Sequence, residues 1–381
     1  MKILPIVLSC LLLAGCAAKA PASLPETTSA LAPQQTEPTS YPAAAPSGDA
    51  IDRMIGALSL EQRVGQLFLA RCNPETALDD ITQYHLGGLI LFSESFEDQT
   101  PDSLSRILTG YQTAAELPLL LAVDEEGGDV TRISRYPAFR SKRFSSLRAR
   151  YNRGGLEEIL AEEAEKCQLL SDLGLNVNLG PVCDIATDPE AFVYSRSLGQ
   201  SPEITSQTVA AIVELMGQQH LGSVLKHFPG YGNNADTHTG IARDSRPLSE
   251  LESRDLLPFA AGIQAGCGAI MVGHVIVEAM DNTLPASLSP AVHRYLRETM
   301  DFTGVILTDD LVMQAITDRY GAGEAAVMAV QAGNDLLCST EYAVQYQAVL
   351  QAVRDGRIDM DTLNTAVRHV LLWKQQAATY G

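Results

Sequence analysis

The chain has 381 residues, of which 46% are hydrophobic, and its formal net charge at pH 7 is −19. An acidic chain without a visible cluster of Lys and Arg does not fit a nucleic-acid-binding protein, because binding to phosphates requires basic side chains. Residues 49–381, which follow the N-terminal segment described next, have a length that suits one large α/β domain.

The first 48 residues are interpreted as a leader and a tether. Within residues 1–16, Lys2 is followed by an apolar stretch and then by small residues, as in secretory signals. The last four residues of this segment, Leu-Ala-Gly-Cys, resemble the bacterial lipoprotein cleavage box, in which Cys16 becomes the lipid-bearing first residue. An ordinary signal with a chance cysteine is the alternative. Residues 17–48 are rich in Ala, Pro, Ser and Thr and are predicted to be an unfolded tether. We therefore expect an exported, lipid-anchored, extracytoplasmic protein that contacts the membrane through this anchor.

Residues 49–381 alternate between short apolar segments and amphipathic segments. A capping box formed by Ser59 and Gln62 predicts a helix start near the beginning of this domain. The predicted strands are residues 67–70, 86–92, 117–123, 175–179, 223–225, 269–272, 305–307 and 335–338. Predicted helices include residues 157–173, 203–219 and 324–332, with a closing helix over 361–375 and no further domain after it. Eight strands that alternate with helices predict a parallel (β/α)8 TIM-type barrel, with a doubly wound open sheet as the alternative.

Polar residues follow nearly every predicted strand. Any one of them could be a helix cap, because Asp and Ser commonly start helices. A barrel, however, gathers the C-terminal ends of its strands around one pocket, so the recurrence predicts a functional site there. These residues are Arg71, Ser93, Glu94, Asp124, Glu125, Asp184, Lys226, His227, His274, Asp309, Asp310, Ser339 and Thr340.

Residues 226–238 are the most informative segment, reading Lys-His-Phe-Pro-Gly-Tyr-Gly-Asn-Asn-Ala-Asp-Thr-His. Lys226 and His227 end an apolar run, and a glycine-rich loop then leads to Asp236 and His238. Residues two apart in an extended segment point to the same side. Asp236 could therefore hold one ring nitrogen of His238 and leave the other free for proton transfer.

The second candidate catalytic position is Asp309, which follows the strand at 305–307. A carboxylate at the mouth of a barrel can act as a nucleophile, a base or a metal ligand. Adjacent residues on a strand point to opposite sides, so at most one of Asp309 and Asp310 is expected to face the pocket while the strand persists. Asp310 is interpreted as a cap on the next helix.

The cysteines give no indication of a metal site. Beyond the leader they show no Cys-x-x-Cys spacing, and neither a metal nor a cofactor is expected. Their apolar surroundings predict buried free thiols. One disulfide, between Cys72 and Cys338 on neighbouring strands, is the alternative.

Five motifs in chain order resemble those of family 3 glycoside hydrolases of the β-N-acetylglucosaminidase type. Residues 123–132 resemble the family's Asp-Gln-Glu-Gly-Gly-Arg-Val-x-Arg, and residues 226–238 resemble its Lys-His-Phe-Pro-Gly-His-Gly followed by Asp-Ser-His. The other matches are Gly-Pro-Val-Cys-Asp-Ile at 180–185, Ser-Arg-Ser-Leu-Gly at 195–199 and Thr-Asp-Asp-Leu-Val-Met at 308–313. The resemblance covers nearly the whole domain.

The resemblance implies roles for individual residues. Asp309 matches the catalytic nucleophile, and His238 matches the general acid/base, held by Asp236. The residues that match the family's sugar-binding set are Asp124, Arg132, Arg196, Lys226, His227 and, at a strand end near that site, His274. Family members that act as β-glucosidases usually carry a second domain with a Glu acid/base. Since no further domain is expected after the closing helix, we expect a single-domain enzyme of the Asp-x-His type. A salt bridge among Asp124, Arg196 and Lys226 is an alternative that does not exclude their role.

The implied activity is retaining exo-hydrolysis of terminal β-linked N-acetylglucosamine from small glycans, such as peptidoglycan fragments or chitooligosaccharides. A phosphorylase on the same fold and a non-catalytic sugar-binding lipoprotein are the alternatives. A sugar-binding protein would need neither a nucleophile nor a proton donor, which argues against the second.

Three residues depart from the family pattern. Tyr231 stands for the usual His, Glu125 for Gln and Asp129 for Arg. Asp129 places an anion near the expected site entrance. It is predicted to disfavour acidic substituents such as muramic carboxylates.

Overall fold

The computed structural model describes residues 48–234, 236–238 and 240–378. The predicted leader, the lipidation site Cys16 and the tether up to residue 47 lie outside the described residues.

Eight strands form one parallel sheet: β1 Phe68–Arg71, β2 Gly88–Leu91, β3 Leu120–Val123, β4 Val177–Asn178, β5 Gly222–Phe228, β6 Ala269–Val272, β7 Val305–Thr308 and β8 Leu337–Ser339. They follow one another in chain order around the sheet, and β8 pairs with β1. The ring is closed by a bridge between Leu307 and Leu336, where the Thr308 amide donates to the Leu336 carbonyl at 3.1 Å. The barrel prediction is confirmed, and the open-sheet alternative is wrong because an open sheet would leave its two outer strands unpaired.

Helices connect the strands and cover the outside of the barrel. Their bounds are Gly48–Ala57, Leu60–Gly65, Ala77–Tyr84, Pro101–Ala114, Leu147–Leu173, Pro202–Gln218, Leu248–Ser253, Leu256–Gln264, Pro290–Arg294, Gln314–Thr317, Ala322–Ala332, Tyr342–Arg354 and Met360–Ala378. Single turns lie at Ser93–Ser95, Ala286–Leu288 and Tyr295–Thr299, and Arg243–Asp244 pairs with Ile276–Val277 in a small ribbon outside the barrel sheet. No helix in the part of the chain described here is long and apolar enough to cross a membrane.

Local signals in the sequence place several of these helices correctly. The capping box is present, with Ser59 Oγ accepting the Gln62 amide at 3.1 Å and Gln62 Oε1 accepting the Ser59 amide at 2.7 Å. The helix predicted to begin at residue 157 belongs to a longer helical segment that starts at Leu147. Gly154 and Gly155 interrupt that segment with non-helical backbone angles, φ −160° and φ 64°. The predicted helix is therefore the continuous part after the interruption.

Successive side chains of each strand alternate between the inside of the barrel and the helix layer. Leu120 and Ala122 of β3, together with Val305 and Leu307 of β7, belong to the buried cluster inside the barrel. The residues between them pack against the helices. This alternation decides which polar residues at the strand ends point into a common pocket.

The cysteines within the described residues are buried free thiols, as predicted: Cys72, Cys167, Cys183, Cys267 and Cys338. The alternative disulfide between Cys72 and Cys338 is not formed. The Cys72 thiol instead contacts the Tyr111 hydroxyl at 3.9 Å.

Candidate active site

A cavity of about 670 Å³ opens at the C-terminal ends of the barrel strands. The inward-facing positions of the strands continue into it, because the alternation of side chains persists at the strand ends. The inward positions found in its wall are Arg71, Phe92, Asp124, Lys226, Asp309 and Thr340. The predicted site residues that line it are Asp124, Arg132, Arg196, Lys226, His227, His238 and Asp309. The barrel therefore brings seven of the nine candidates together.

A cluster of opposite charges forms one wall of the cavity. Lys226 Nζ lies 2.6 Å from Asp124 Oδ1 and 2.7 Å from Glu126 Oε1. Arg196 donates to both carboxylate oxygens of Glu126, through Nε at 3.0 Å and Nη2 at 2.7 Å. The salt bridge considered for Asp124, Arg196 and Lys226 is thus present in part, with Glu126 joining the two cations. The cluster offers several donors and acceptors at fixed positions on one side of the cavity.

Glu126 is the central residue of this cluster, and it is absent from the candidates drawn from the sequence. Burial alone would raise the pKa of Glu126, but Arg196 and Lys226 outweigh burial and hold the pKa well below its ordinary value. Two further buried cations approach its backbone carbonyl, Arg150 at 3.2 Å and Lys166 at 3.5 Å. The alternation of side chains along a strand predicts the position of Glu126, because residues 120, 122, 124 and 126 share one side of β3 and its extension.

His227 completes the same wall, although its position on β5 alternates with the inward-facing Lys226. The pairing of β5 with β6 shifts register between Leu225 and Phe228, and such irregularities redirect side chains. His227 Nδ1 lies 2.7 Å from Asp184 Oδ2, and its Nε2 lies 3.2 Å from Arg196 Nη2. His227 therefore helps to fix Arg196.

Asp309 lies just beyond β7 and extends its ladder, with its amide donating to the Val272 carbonyl at 3.0 Å. Its Oδ1 accepts the Asp310 amide at 2.9 Å. Burial alone would raise the pKa of Asp309, but the rings of His227 and His274 and the Asp310 amide outweigh burial, and the pKa is lowered. The carboxylate is consequently ionised near neutral pH, as a nucleophile must be.

The interpretation of Asp310 as a helix cap is wrong. The next helix begins after Met313, which provides no side-chain cap. Asp310 Oδ2 accepts the Thr340 hydroxyl at 2.6 Å, and Oδ1 accepts the amides of Thr340 and Val312, both at 3.2 Å. Asp310 thus joins the end of β7 to the end of β8. It also lines the cavity, which is compatible with strand geometry because β7 ends at Thr308.

His274 is fully buried and does not appear in the cavity wall, contrary to the sugar contact expected for it. It continues the outward set of β6 after Ile270 and Val272, so alternation directs it away from the barrel interior. Burial lowers the pKa of His274 below its ordinary value. Its Nε2 lies 3.0 Å from the Asp310 carbonyl, and its Nδ1 lies 2.7 Å from Ser287 Oγ. The contacts of His274 hold the turn that follows Asp309.

Asp236 and His238 form the expected pair, but through a different backbone geometry. Asp236 Oδ1 accepts both the His238 amide at 2.9 Å and His238 Nδ1 at 2.6 Å. This is an Asx turn, in which the aspartate bonds the backbone two residues on, and not the extended segment assumed from the sequence. The arrangement still leaves His238 Nε2 available on a ring that lines the cavity.

Two of the three departures from the family pattern, Glu125 and Asp129, have different surroundings. Glu125 is buried, and its carboxylate accepts the amides of Arg132 and Ile133 at 2.8 Å and the Ser134 hydroxyl at 2.5 Å. It therefore shapes the loop and does not line the cavity. Asp129, in contrast, is exposed on the turn closed by the bridge between Gly127 and Val130, and it does line the cavity. Its predicted position near the entrance fits this place.

The fold and the site define a TIM-barrel enzyme whose pocket presents an ionised carboxylate, an aspartate-held imidazole and a fixed set of charged groups. The chain belongs to glycosyl hydrolase family 3, since residues 59–372 match the family model described as "Glycosyl hydrolase family 3 N terminal domain". In the described ranges, no group of three or more His, Cys, Asp or Glu side chains is arranged to hold a metal ion.

Two curated proteins and one solved structure illustrate the similarity. Beta-hexosaminidase A of Pseudoalteromonas piscicida is 33% identical over 276 residues, which cover 67% of this chain and 46% of the relative. Beta-hexosaminidase LpqI of Mycobacterium tuberculosis is 30% identical over 305 residues, or 77% of each chain. The structure of a glycoside hydrolase family 3 beta-N-acetylglucosaminidase from Paenibacillus sp. str. FPU-7 superimposes with a TM-score of 0.79 at 32% identity, covering 85% of this chain and 64% of that one. The chain thus spans about half of the first relative and about two thirds of the Paenibacillus enzyme.

Proposed function

We propose that this protein removes terminal β-linked N-acetylglucosamine from small glycans by retaining hydrolysis. One observation carries the proposal: Asp309 and His238 line the same cavity as the charged cluster of Asp124, Glu126, Arg196 and Lys226. Retaining hydrolysis needs a nucleophile on one side of the sugar and a proton donor beside the leaving oxygen. The names of the relatives, β-hexosaminidase and β-N-acetylglucosaminidase, support N-acetylglucosamine as the sugar.

The charged cluster binds the sugar that is to be released. Burial alone would lower the pKa of Lys226, but Asp124 and Glu126 outweigh burial and raise the pKa, so the ammonium keeps its protons. Lys226 and Arg196 donate hydrogen bonds to sugar hydroxyls, and Asp124 accepts them. Arg132, whose Nη2 lies 3.9 Å from Asp124 Oδ2, adds a further donor on the same side.

His238 carries the proton in both half-reactions. As an imidazolium it protonates the leaving oxygen while Asp309 attacks the anomeric carbon and forms the glycosyl-enzyme. As a neutral imidazole it then takes a proton from the water that releases the sugar. Asp236, bound to Nδ1, fixes the ring so that Nε2 is the atom that gives and takes the proton.

Peptidoglycan fragments and chitooligosaccharides are the substrate classes that we propose. Between the two, the exposed carboxylate of Asp129 in the cavity wall favours chitooligosaccharides, whose neighbouring sugars are neutral, over peptidoglycan fragments with a muramic carboxylate, because like charges repel across a partly closed site.

The function is tested with the purified protein on an aryl β-N-acetylglucosaminide and on the corresponding β-glucoside, with and without phosphate. We expect release of free N-acetylglucosamine at a rate that does not depend on phosphate, and slower cleavage of the glucoside. Formation of sugar 1-phosphate would establish a phosphorylase instead. Binding of N-acetylglucosamine without any turnover would establish a sugar-binding protein.

We also propose that the protein is attached to the membrane through a lipid on Cys16. Replacement of Cys16 by Ser should move the protein from the membrane fraction to the soluble extracytoplasmic fraction while its specific activity is kept, because Cys16 is not among the residues that form the candidate site. The matched control is Cys10→Ser, which changes a cysteine of the same leader away from the cleavage box and should leave the protein anchored. A soluble, unlipidated wild-type protein would contradict the proposal.

A further inference from the structure

Tyr231 stands where the family pattern has His, and only 1% of its surface is exposed. Its amide donates to Asp184 Oδ1 at 2.8 Å, while the other oxygen of Asp184 holds the His227 ring. Its own ring lies edge-on to His227, with centroids 5.2 Å apart and an interplanar angle of 88°. Tyr231 is therefore fixed immediately behind the charged wall of the active site.

The hydroxyl of Tyr231 is paired with Thr237 Oγ1, and Thr237 is completely buried. Burial, followed by the charge of Asp309, raises the pKa of Tyr231, so this hydroxyl keeps its proton at any working pH. The Thr237 carbonyl also accepts the Ala315 amide at 3.2 Å. Thr237 is thus held from two sides, once through its side chain and once through its backbone.

Thr237 is the residue between Asp236 and His238, whereas the catalytic pair itself is open to solvent. The His238 side chain is 57% exposed and the Asp236 side chain 29%. The centroid of the Phe192 ring lies 5.6 Å from that of the His238 ring and 5.5 Å from that of the Tyr231 ring. Packing restrains a half-exposed imidazole only weakly, so the direction of His238 depends on the backbone that Thr237 fixes.

The chain before the catalytic pair is also tied down. Asn233 Oδ1 accepts the amides of Thr187 and Asp188 at 2.9 and 3.2 Å. Asn234 Nδ2 donates to Asp244 Oδ2 at 3.2 Å and to the Tyr231 carbonyl at 2.9 Å. These bonds hold residues 233 and 234 but do not reach Thr237. The side-chain contact that holds Thr237 itself comes from Tyr231.

We infer that the Tyr231 hydroxyl is a positioning group for proton transfer, which holds His238 at the leaving oxygen by fixing Thr237. The inference rests on the proposed function, because it assigns the proton transfer to His238. Without the hydroxyl, the imidazole keeps its bond to Asp236, but Thr237 loses its side-chain anchor, and the pair is held less precisely at the cavity. The binding of the sugar by Lys226 and Arg196 is unaffected.

The test uses Tyr231→Phe and Thr237→Val, which remove the two ends of one hydrogen bond and keep the shapes of the side chains. We expect kcat/KM for the β-linked N-acetylglucosamine disaccharide to fall about 10- to 100-fold, since small displacements of a catalytic group have effects of this order. The rate of glycosyl-enzyme formation from a nitrophenyl glycoside should stay within about 3-fold of wild type, because its leaving group needs little protonation. Inhibition by free N-acetylglucosamine should not change.

Three controls separate positioning from general damage. Thr237→Ser keeps the hydroxyl and should restore activity on the disaccharide. Tyr295→Phe removes a hydroxyl that donates to Glu252 at 2.9 Å outside the cavity wall, and it should behave as wild type. The double variant Tyr231→Phe/Thr237→Val should be no less active than the weaker single variant, because both changes break the same bond. It leaves no unpaired buried hydroxyl, so it also serves where a single variant folds poorly.

Equal losses on both substrates, no loss on the disaccharide, or additive losses in the double variant would overturn the inference. Failure of the proposed function is recognised separately, because the wild type would then release free N-acetylglucosamine from neither substrate. The inference is still decided in that case by NMR signals of the His238 ring, which Tyr231→Phe should shift and Tyr295→Phe should not. Unchanged His238 signals in Tyr231→Phe would overturn it.

Discussion

Replacement of Asp309 by Asn is expected to lower kcat/KM for an aryl β-N-acetylglucosaminide by about 10³-fold or more, the scale of removing a principal catalytic group. Asn cannot form the glycosyl ester, but it is close to Asp in shape. Its side-chain oxygen can still accept the Asp310 amide that Asp309 Oδ1 accepts at 2.9 Å. The loss should therefore appear in the chemical step, and inhibition by N-acetylglucosamine should change little.

The covalent intermediate gives a direct measurement of the same role. A fluorosugar inactivator should label the wild-type enzyme on the single peptide that contains Asp309, and peptide sequencing by mass spectrometry locates the adduct. The matched variant is Asp310→Asn, which weakens the connection to Thr340 and should reduce the rate less. Labelling of Asp310 would transfer the role to that residue. Absence of any adduct would favour an inverting mechanism.

His238→Ala is expected to separate acid catalysis from sugar binding. A positioned proton donor contributes about 10²- to 10⁴-fold, and it matters most when the leaving group is poor. The variant should therefore keep much of its glycosylation rate on a nitrophenyl glycoside and lose a factor of that size on a disaccharide. Deglycosylation should slow as well, because the same imidazole activates water, and the glycosyl-enzyme should accumulate.

Azide and Asp236→Asn provide the controls for His238. Azide needs no general base, so it should restore turnover of the aryl substrate by His238→Ala and yield the glycosyl azide. Asp236→Asn should show a milder version of the same behaviour, because it keeps the imidazole and removes only the charge that orients it. Equal losses on aryl and disaccharide substrates without rescue by azide would mean that the proton donor lies elsewhere.

The sequence by itself determined the order of the elements and which residues of each strand point to the same side. Apolar segments of strand length that alternate with amphipathic segments can be buried on both faces only in a helix-covered parallel sheet. The two-residue period of a strand then fixes which strand-end residues share a side. Asp124, Lys226 and Asp309 follow this rule, and Glu126 could have been found by it. The same rule applied to β6 would have directed His274 away from the cavity.

Only the tertiary structure decided which charges pair and how the loop that carries Asp236 and His238 is held. Lys226 and Asp124 are 102 positions apart in the chain, and no local pattern states that Glu126 lies between Lys226 and Arg196. The irregular pairing of β5 turned His227 into the wall, an Asx turn brought Asp236 to His238, and Tyr231 met Thr237 through its hydroxyl. Each of these contacts depends on the distance and direction between segments. Those quantities are set when the barrel closes and the loops pack on its end, so they are not encoded in the spacing of residues along the chain.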